Sequence, residues 1–279
     1  MGHVEITAAL EATLWDLAGA LADAARDCTL PLFRTGLAAD NKAASGFDPV
    51  TEADRSAEAA MRALLEARRP EDAILGEEYG ARPGSSGLTW VLDPVDGTRA
   101  FMSGAPTWGT LIGVDRSDTG TLGGPVLGVI DQAFTRERLI GGFGRAVYSR
   151  DGQVARLRTR ACARLEDAIL YATRPEVGSD AEREGFYEVS PRTRLTRYGF
   201  DCYGYALVAM GHADMVIEAG LGAYDIQGPQ AVIEAAGGVV TDWTGGPAYN
   251  GGRVIASGDP RLHEAALAYL SRVPDDPTA

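Results

Sequence analysis

Leu10, Leu14, Leu17 and Leu21 recur at alternating steps of four and three residues, which puts one apolar stripe on a helix from about Ile6 to Cys28. A polar stretch from Leu32 through Asp40-Asn41-Lys42 to Gly46 follows and reads as a loop. A second helix opens after Asp48-Pro49-Val50-Thr51, with Ala57, Met61, Leu64 and Leu65 facing inward and Pro70 as its stop. Thr51 with Asp54 three residues later resembles a capping box, although that motif prefers Glu or Gln. Ala73–Gly76 reads as a short strand ending in Glu77-Glu78, and a Gly/Pro/Ser-rich loop runs from Tyr79 to Gly87. Trp90-Val91-Leu92 is a buried strand, which Asp93 ends. Short strands then alternate with glycine turns at 107–114, 124–131, 138–142 and 146–148, a pattern that predicts an antiparallel sheet.

We divide the chain near Asp151-Gly152 into two halves, 1–151 and 152–279, that together make one catalytic unit. The second half is expected to hold strands at 168–172, 213–218, 238–242 and 253–256. Its helices are expected near 179–187, 203–211, 230–236 and 260–270, before a loose Pro/Asp-rich end.

Composition narrows the function. The chain has 279 residues, enough for a substantial core. No apolar run reaches bilayer length and Met1-Gly2-His3-Val4-Glu5 lacks a basic-then-apolar signal pattern, so a cytoplasmic location is expected. Cys28, Cys162 and Cys202 are odd in number and far apart, which suggests neither a disulfide framework nor a cysteine metal site. The formal net charge of -13 argues against nucleic acid or an anionic membrane as partner. It also means that a bound phosphate would need local cations to reverse the sign of the field. The three histidines, His3, His212 and His263, lie in no recognisable motif. Oxygen ligands and a hard ion such as magnesium are therefore expected.

The chemistry concentrates at Trp90-Val91-Leu92-Asp93-Pro94-Val95-Asp96-Gly97-Thr98. A turn at Pro94 can bring Asp93 and Asp96 to one edge, Gly97 admits a ligand close to the backbone, and Thr98 can open a helix whose N–H groups face a phosphate. Taken alone, Asp93 and Asp96 could equally be turn and cap residues. Glu77-Glu78 reads either as a solvated acidic turn or as a source of a third metal ligand. Asp54 either caps its helix or helps polarise a water, Asp225 either partners a helix start or joins a site, and Lys42 is either solvated or reaches the site.

Asp-Pro-Val-Thr-Glu-Ala-Asp (48–54), Gly-Glu-Glu (76–78), the 90–98 stretch, and Tyr224-Asp225 with Glu-Ala-Ala-Gly-Gly (234–238) resemble, in order and spacing, the magnesium-dependent, lithium-sensitive inositol monophosphatase family. The resemblance covers nearly the whole chain. It implies an α+β fold, a layered α-β-α-β-α sandwich, usually in a homodimer. It implies that Glu77, Asp93 and the Val95 carbonyl hold one Mg2+, that Asp93, Asp96 and Asp225 hold a second, and that Glu77 helps with a weaker third. Many inositol enzymes have Trp-Asp where this chain has Tyr224-Asp225, which leaves the ligand itself in place. Thr98-Arg99-Ala100-Phe101, the segment 105–112 and Gly199-Phe200-Asp201-Cys202-Tyr203-Gly204-Tyr205 are similar to the histidinol-phosphatase branch.

On this reading Glu77 and Thr98 orient an attacking water with Asp54 behind Thr98, and the N–H groups of Gly97 and Thr98 hold the phosphate. Asp201 and Glu218 pair with the ammonium or imidazole of histidinol phosphate, and Arg99 and Lys42 complete the substrate side. The alternatives are a phosphatase of inositol or another small sugar or nucleotide phosphate, and a catalytically silent binding protein. The intact acid set counts against the last, because clustered carboxylates without a cation are costly to keep.

Overall fold

The computed structural model describes residues 4–36, 40–41, 49–116 and 121–274. Lys42 and the Pro/Asp-rich end beyond 274 lie outside the described residues. In chain order the elements are α1 (Ala8–Thr29), β1 (Asp40–Asn41), β2 (Pro49–Val50), α2 (Glu52–Arg68), β3 (Ala73–Gly76), β4 (Gly80–Arg82), β5 (Leu88–Asp96) and α3 (Thr98–Ser103). There follow β6 (Gly109–Arg116), β7 (Pro125–Gln132), β8 (Glu137–Gly142), β9 (Arg145–Arg150), β10 (Gln153–Arg156), β11 (Ile169–Ala172), α4 (Asp180–Val189) and β12 (Leu195–Tyr198). The chain continues with α5 (Asp201–Ala209), β13 (Met215–Leu221), α6 (Ala223–Ala235), β14 (Val239–Thr241), β15 (Gly252–Ser257) and α7 (Pro260–Leu270).

The strands beyond β1 and β2 form two sheets. An eight-stranded sheet runs β10-β9-β8-β7-β6-β5-β3-β4, antiparallel except where β3 pairs β5, and a five-stranded mixed sheet runs β12-β11-β13-β15-β14. Alternation along the strands gives each sheet two apolar faces. Ile112 packs with Trp90 and Leu92 under the leucine stripe of α1 and under Ala57, Met61 and Leu65 of α2. Leu111, next in the chain, turns the other way to join α5 and α6. Val216 of β13 packs on the far side of that helical layer, while its neighbours Met215 and Ile217 face Phe186 of α4 and Leu262 and Leu270 of α7. Helix, sheet, helix, sheet, helix is thus the order of layers, as the resemblance implied.

Several expectations shift in detail. The 79–87 loop contains β4, and β12 was not foreseen. The large sheet continues past Asp151-Gly152, which form the β9–β10 turn, to Arg156. Helix α6 starts at Ala223 rather than Gln230, with Pro229 in its interior. An interior proline removes one helical hydrogen bond, and close packing against the sheet outweighs that loss. Glycines make the packing possible. A Cβ on Gly128 would lie 2.1 Å from the Gly228 carbonyl oxygen, and one on Gly141 would lie 2.5 Å from Val232 Cα. Helix α6 therefore rests backbone to backbone on β7 and β8, and its height over the sheet is set.

His263 belongs to the scaffold. Its ring nitrogens lie 2.8 Å from Thr241 Oγ1 and 3.2 Å from Ser257 Oγ, and burial holds its pKa down at about 4.

Two sets of measurements check this account. Gly128→Ala forces a methyl into backbone and should cost about 3 kcal/mol or more in urea unfolding. Gly19→Ala in α1, where the nearest atom to a new Cβ is 3.8 Å away, should instead gain about 0.5–1 kcal/mol. For His263, an unfolded chain protonates near 6.5 and the folded one only near 4, so its contribution is complete above 6.5 and is lost as pH falls toward 4. The loss should reach about 3 kcal/mol and should be missing from the acid limb of His263→Asn.

Candidate active site

The site begins with an irregularity in β5. Asp93 pairs with Leu111 and Asp96 with Gly109, so three steps on β5 oppose two on β6. In a regular strand, residues three apart face opposite sides; one extra residue at a bulge turns them to the same side. The sequence suggested a strand that ends at Asp93 and then turns. The structure reaches the same result by bulging a strand that continues to Asp96. The Val95 N–H donates to Asp93 Oδ1 at 3.0 Å, and Thr110 Oγ1 donates to the Pro94 carbonyl at 2.8 Å.

Gly97 ends the strand at φ 81°, and a Cβ there would lie 2.9 Å from Asp201 Cγ. Only glycine combines that backbone angle with so close a neighbour. Thr98, the first residue of α3, has its Oγ1 3.3 Å from Asp54 Oδ1 and 3.2 Å from the Val95 carbonyl. The fully buried Asp54 caps its helix and also reaches Thr98. Its Oδ2 accepts from the Thr51 N–H at 2.8 Å in a capping box, and its Oδ1 reaches Thr98.

Other elements bring the remaining acids. Glu77 follows β3, donates its N–H to the Leu92 carbonyl at 3.1 Å, and makes a carboxyl contact with Asp93. Asp225 stands in the first turn of α6, where its Oδ2 accepts from the Gly222 N–H at 2.6 Å. It caps its helix and joins the cluster at once: ligand oxygens of Asp93, Asp96 and Asp225 lie within 4.8 Å of one another. At the start of α5, Asp201 adopts a positive φ of 45°, and the next N–H, of Cys202, donates to Asp96 Oδ2 at 2.6 Å. Glu218 of β13 accepts from the Thr173 N–H at 2.8 Å and from Thr173 Oγ1 at 2.6 Å.

Asp96, Gly97, Thr98, Asp201, Glu218 and Asp225 border a cavity of about 290 Å³, with Arg99 and Arg174 also on its wall. A larger cavity of about 450 Å³, bordered by Glu137, Tyr148 and Tyr203, lies elsewhere and touches none of the clustered acids. All the candidate site residues but Lys42 are described: Asp93, Asp96 and Asp225 cluster, Glu77 contacts Asp93, Asp54 and the Val95 carbonyl contact Thr98, and Gly97, Thr98, Arg99, Asp201 and Glu218 border the cavity. Thr173, Arg174, the Cys202 amide and Glu58, which holds the turn after Glu77, were not foreseen. Only Glu58 left a trace, as an acid on the inward face of α2.

Electrostatics shows what the cluster lacks. Burial pushes the Asp93 carboxyl well above its ordinary range, and Glu77, Asp96 and Asp225 push it further. Burial also raises Asp96, with Asp201 and Asp225 adding to the effect against the hydrogen bonds from Cys202. Asp201 is raised to about 6 by burial, which outweighs Thr107 and Arg99, and Glu218 is raised to about 7. A set of buried and half-buried oxygen donors that repel one another suits a hard divalent cation, which would neutralise them and use their lone pairs.

A sequence model described as the inositol monophosphatase family matches residues 5–275. The chain is 39% identical over 265 residues to a chloroplastic bifunctional phosphatase of Arabidopsis thaliana, covering 90% of this chain and 73% of that one. It is 33% identical to a histidinol-phosphatase of Streptomyces coelicolor, covering 92% and 96% of the two chains. Among solved structures, an inositol monophosphatase from Zymomonas mobilis superposes with a TM-score of 0.80 at 42% identity, covering 91% of this chain and 96% of that one.

Replacing one acid of the cluster should separate strain from function. Without metal at pH 8, Asp93→Asn removes a buried charge that its neighbours repel, so it should melt above the parent. Adding Mg2+ or Mn2+ should then raise the melting temperature of the parent and leave the variant nearly unmoved. Thermal melts of the two proteins with and without metal decide this; a metal-free variant that melts below the parent would mean the acids are not strained.

Proposed function

The chain belongs to the inositol monophosphatase family and is a phosphoric monoester hydrolase; from there we propose that it hydrolyses histidinol phosphate to histidinol and phosphate with magnesium. The observation that carries this reading is the pair Asp201 and Glu218. Two carboxylates raised by burial face one cavity beside the acid cluster, where a cationic alcohol would relieve them and a neutral polyol would gain less. The similarity to a histidinol-phosphatase along nearly its whole length supports the same choice.

In this proposal Glu77, Asp93, the Val95 carbonyl, Asp96 and Asp225 hold two or three Mg2+. Magnesium, when bound, supplies positive charge to the phosphate oxygens and the departing alkoxide and makes a water acidic enough to attack. The protein's own groups do the orienting. Thr98 Oγ1, fixed between Asp54 and the Val95 carbonyl, and the Glu77 carboxylate aim that water at phosphorus. The N–H groups of Gly97 and Thr98 receive the phosphate where the αL turn exposes them. The P–O bond to the alcohol breaks as the new one forms, one proton of the water stays with the phosphate and the other passes to the departing alkoxide, and the neutral alcohol leaves on the side of Asp201 and Glu218. Arg99 lowers the cost of ionised Asp201 and borders the same opening.

A second reading, hydrolysis of inositol phosphate or another small sugar or nucleotide phosphate, is favoured by the 42% identity to the Zymomonas mobilis inositol monophosphatase. Phosphate release from histidinol phosphate and inositol monophosphate, side by side with and without Mg2+, separates the two. We expect magnesium-dependent kcat/KM to favour histidinol phosphate by more than about tenfold, roughly 1.4 kcal/mol. Asp201→Ala should raise KM for histidinol phosphate far more than for inositol phosphate. An equal rise for both substrates would refute the role given to Asp201.

A further inference from the structure

Glu58 is fully buried in α2, yet it is not one of the acids that surround the bulge. Its carboxylate binds backbone. Oε2 accepts from the Glu78 N–H at 2.7 Å and Oε1 from the Tyr79 N–H at 3.2 Å. Arg62, one turn along α2, donates to Oε1 at 2.7 Å and also bonds the Gly80 carbonyl. Gly76 leaves the space this needs, since a Cβ there would lie 1.9 Å from Glu58 Oε1. The turn from β3 to β4 is thus pinned to α2 on its C-terminal side. On its N-terminal side the Glu77 N–H is held by the Leu92 carbonyl of β5.

A fully buried carboxylate is a costly way to tie a turn, and it is tolerated only when paired and hydrogen-bonded as this one is. What sets this turn apart is that Glu77, directly before the two captured N–H groups, presents its carboxyl to Asp93. Without the anchor the 78–80 backbone could rotate, and Glu77 would spend binding energy on becoming ordered. We propose that Glu58 is a positioning residue for Glu77, and that it sets the affinity of the site for its divalent cation without touching cation or substrate. This rests on the reading of Glu77 as a cation ligand.

The test is calorimetric titration of Mg2+ into the metal-free full-length chain at 25 °C, for the parent, Glu58→Gln, Glu77→Gln and the double variant Glu58→Gln/Arg62→Gln. The double variant keeps the net charge of the turn and loses its anchor, so it separates position from charge. Glu58→Gln and the double variant should each bind Mg2+ about tenfold or more weakly, while kcat at saturating Mg2+ stays within about threefold of the parent. A lower melting temperature with an unchanged isotherm would make Glu58 merely structural and would overturn the proposal. So would weak binding in Glu58→Gln beside parental binding in Glu77→Gln. If the parent itself takes up no Mg2+, the cation reading and this inference fall together. Should Glu58→Gln not fold, Arg62→Ala removes one partner of Oε1 and the bond to Gly80, and is held to the same outcomes.

Discussion

Mutual repulsion among Glu77, Asp93, Asp96 and Asp225 is the constraint that the surrounding structure answers. Acids crowded in a buried place favour protonation or separation, and neither leaves a working cation site. Asp93, Asp96 and Asp225 each accept from a backbone N–H group, those of Val95, Cys202 and Gly222. An amide donor orients a carboxylate without cancelling its charge, whereas an arginine would compete with the metal for the same lone pairs. Arginines clamp acids outside the cluster, Asp131 by Arg26 and Arg138 and Glu58 by Arg62.

Amide anchors work only if the elements that carry them cannot slide. Asp93 and Asp96 come from a sheet, Asp225 from α6 and the Cys202 amide from α5, so the geometry depends on how the middle helical layer sits on β5–β8. The glycine seam under α6 answers this: with backbone against backbone there are no side-chain rotamers to relax, and Asp225 stands at a fixed height above the bulge. The apolar layers on either side, α1 with α2 and α4 with α7, add stability without approaching the acid cluster, apart from Asp54 and Glu58 at the site end of α2.

Much of this was legible in the sequence because the signals are local. The leucine stripe of α1, the Thr51–Asp54 capping box and the carboxylate spacing of 90–98 each follow from short-range geometry. What escaped depends on contacts far apart in the chain. A bulge in β5 exists only relative to its partner β6, so the sequence pointed to a turn instead. Pro229 suggested a helix start, because nothing nearby announces that Gly128 and Gly141 make room for a longer helix. Strand β12 pairs in parallel with β11 across an intervening helix, and its own pattern of exposed residues resembles a loop. The Cys202 amide could not be foreseen at all, since every residue but proline has one.

The proposed function divides the work of the site between two sets of acids, a division that would let relatives with different substrates share one centre. In the proposed function Asp93, Asp96 and Asp225 would meet the part of a phosphate monoester that is the same in every substrate, which would leave them little freedom to vary. Asp201 and Glu218 lie on α5 and β13 and border the same cavity, where in the proposed function the variable alcohol would sit. Asp201 lies against Gly97 and acts on Asp96 through its charge, and Glu218 is held by Thr173 on its own side of the opening. A change on that wall alters which alcohol is welcome while leaving the bulge, the αL turn and the Thr98–Asp54 pair intact. The net charge of -13 fits the same logic. A negatively charged protein admits an anionic ester best where bound cations reverse the local field, so in the proposed function a metal held by the cluster would also mark where a phosphate enters.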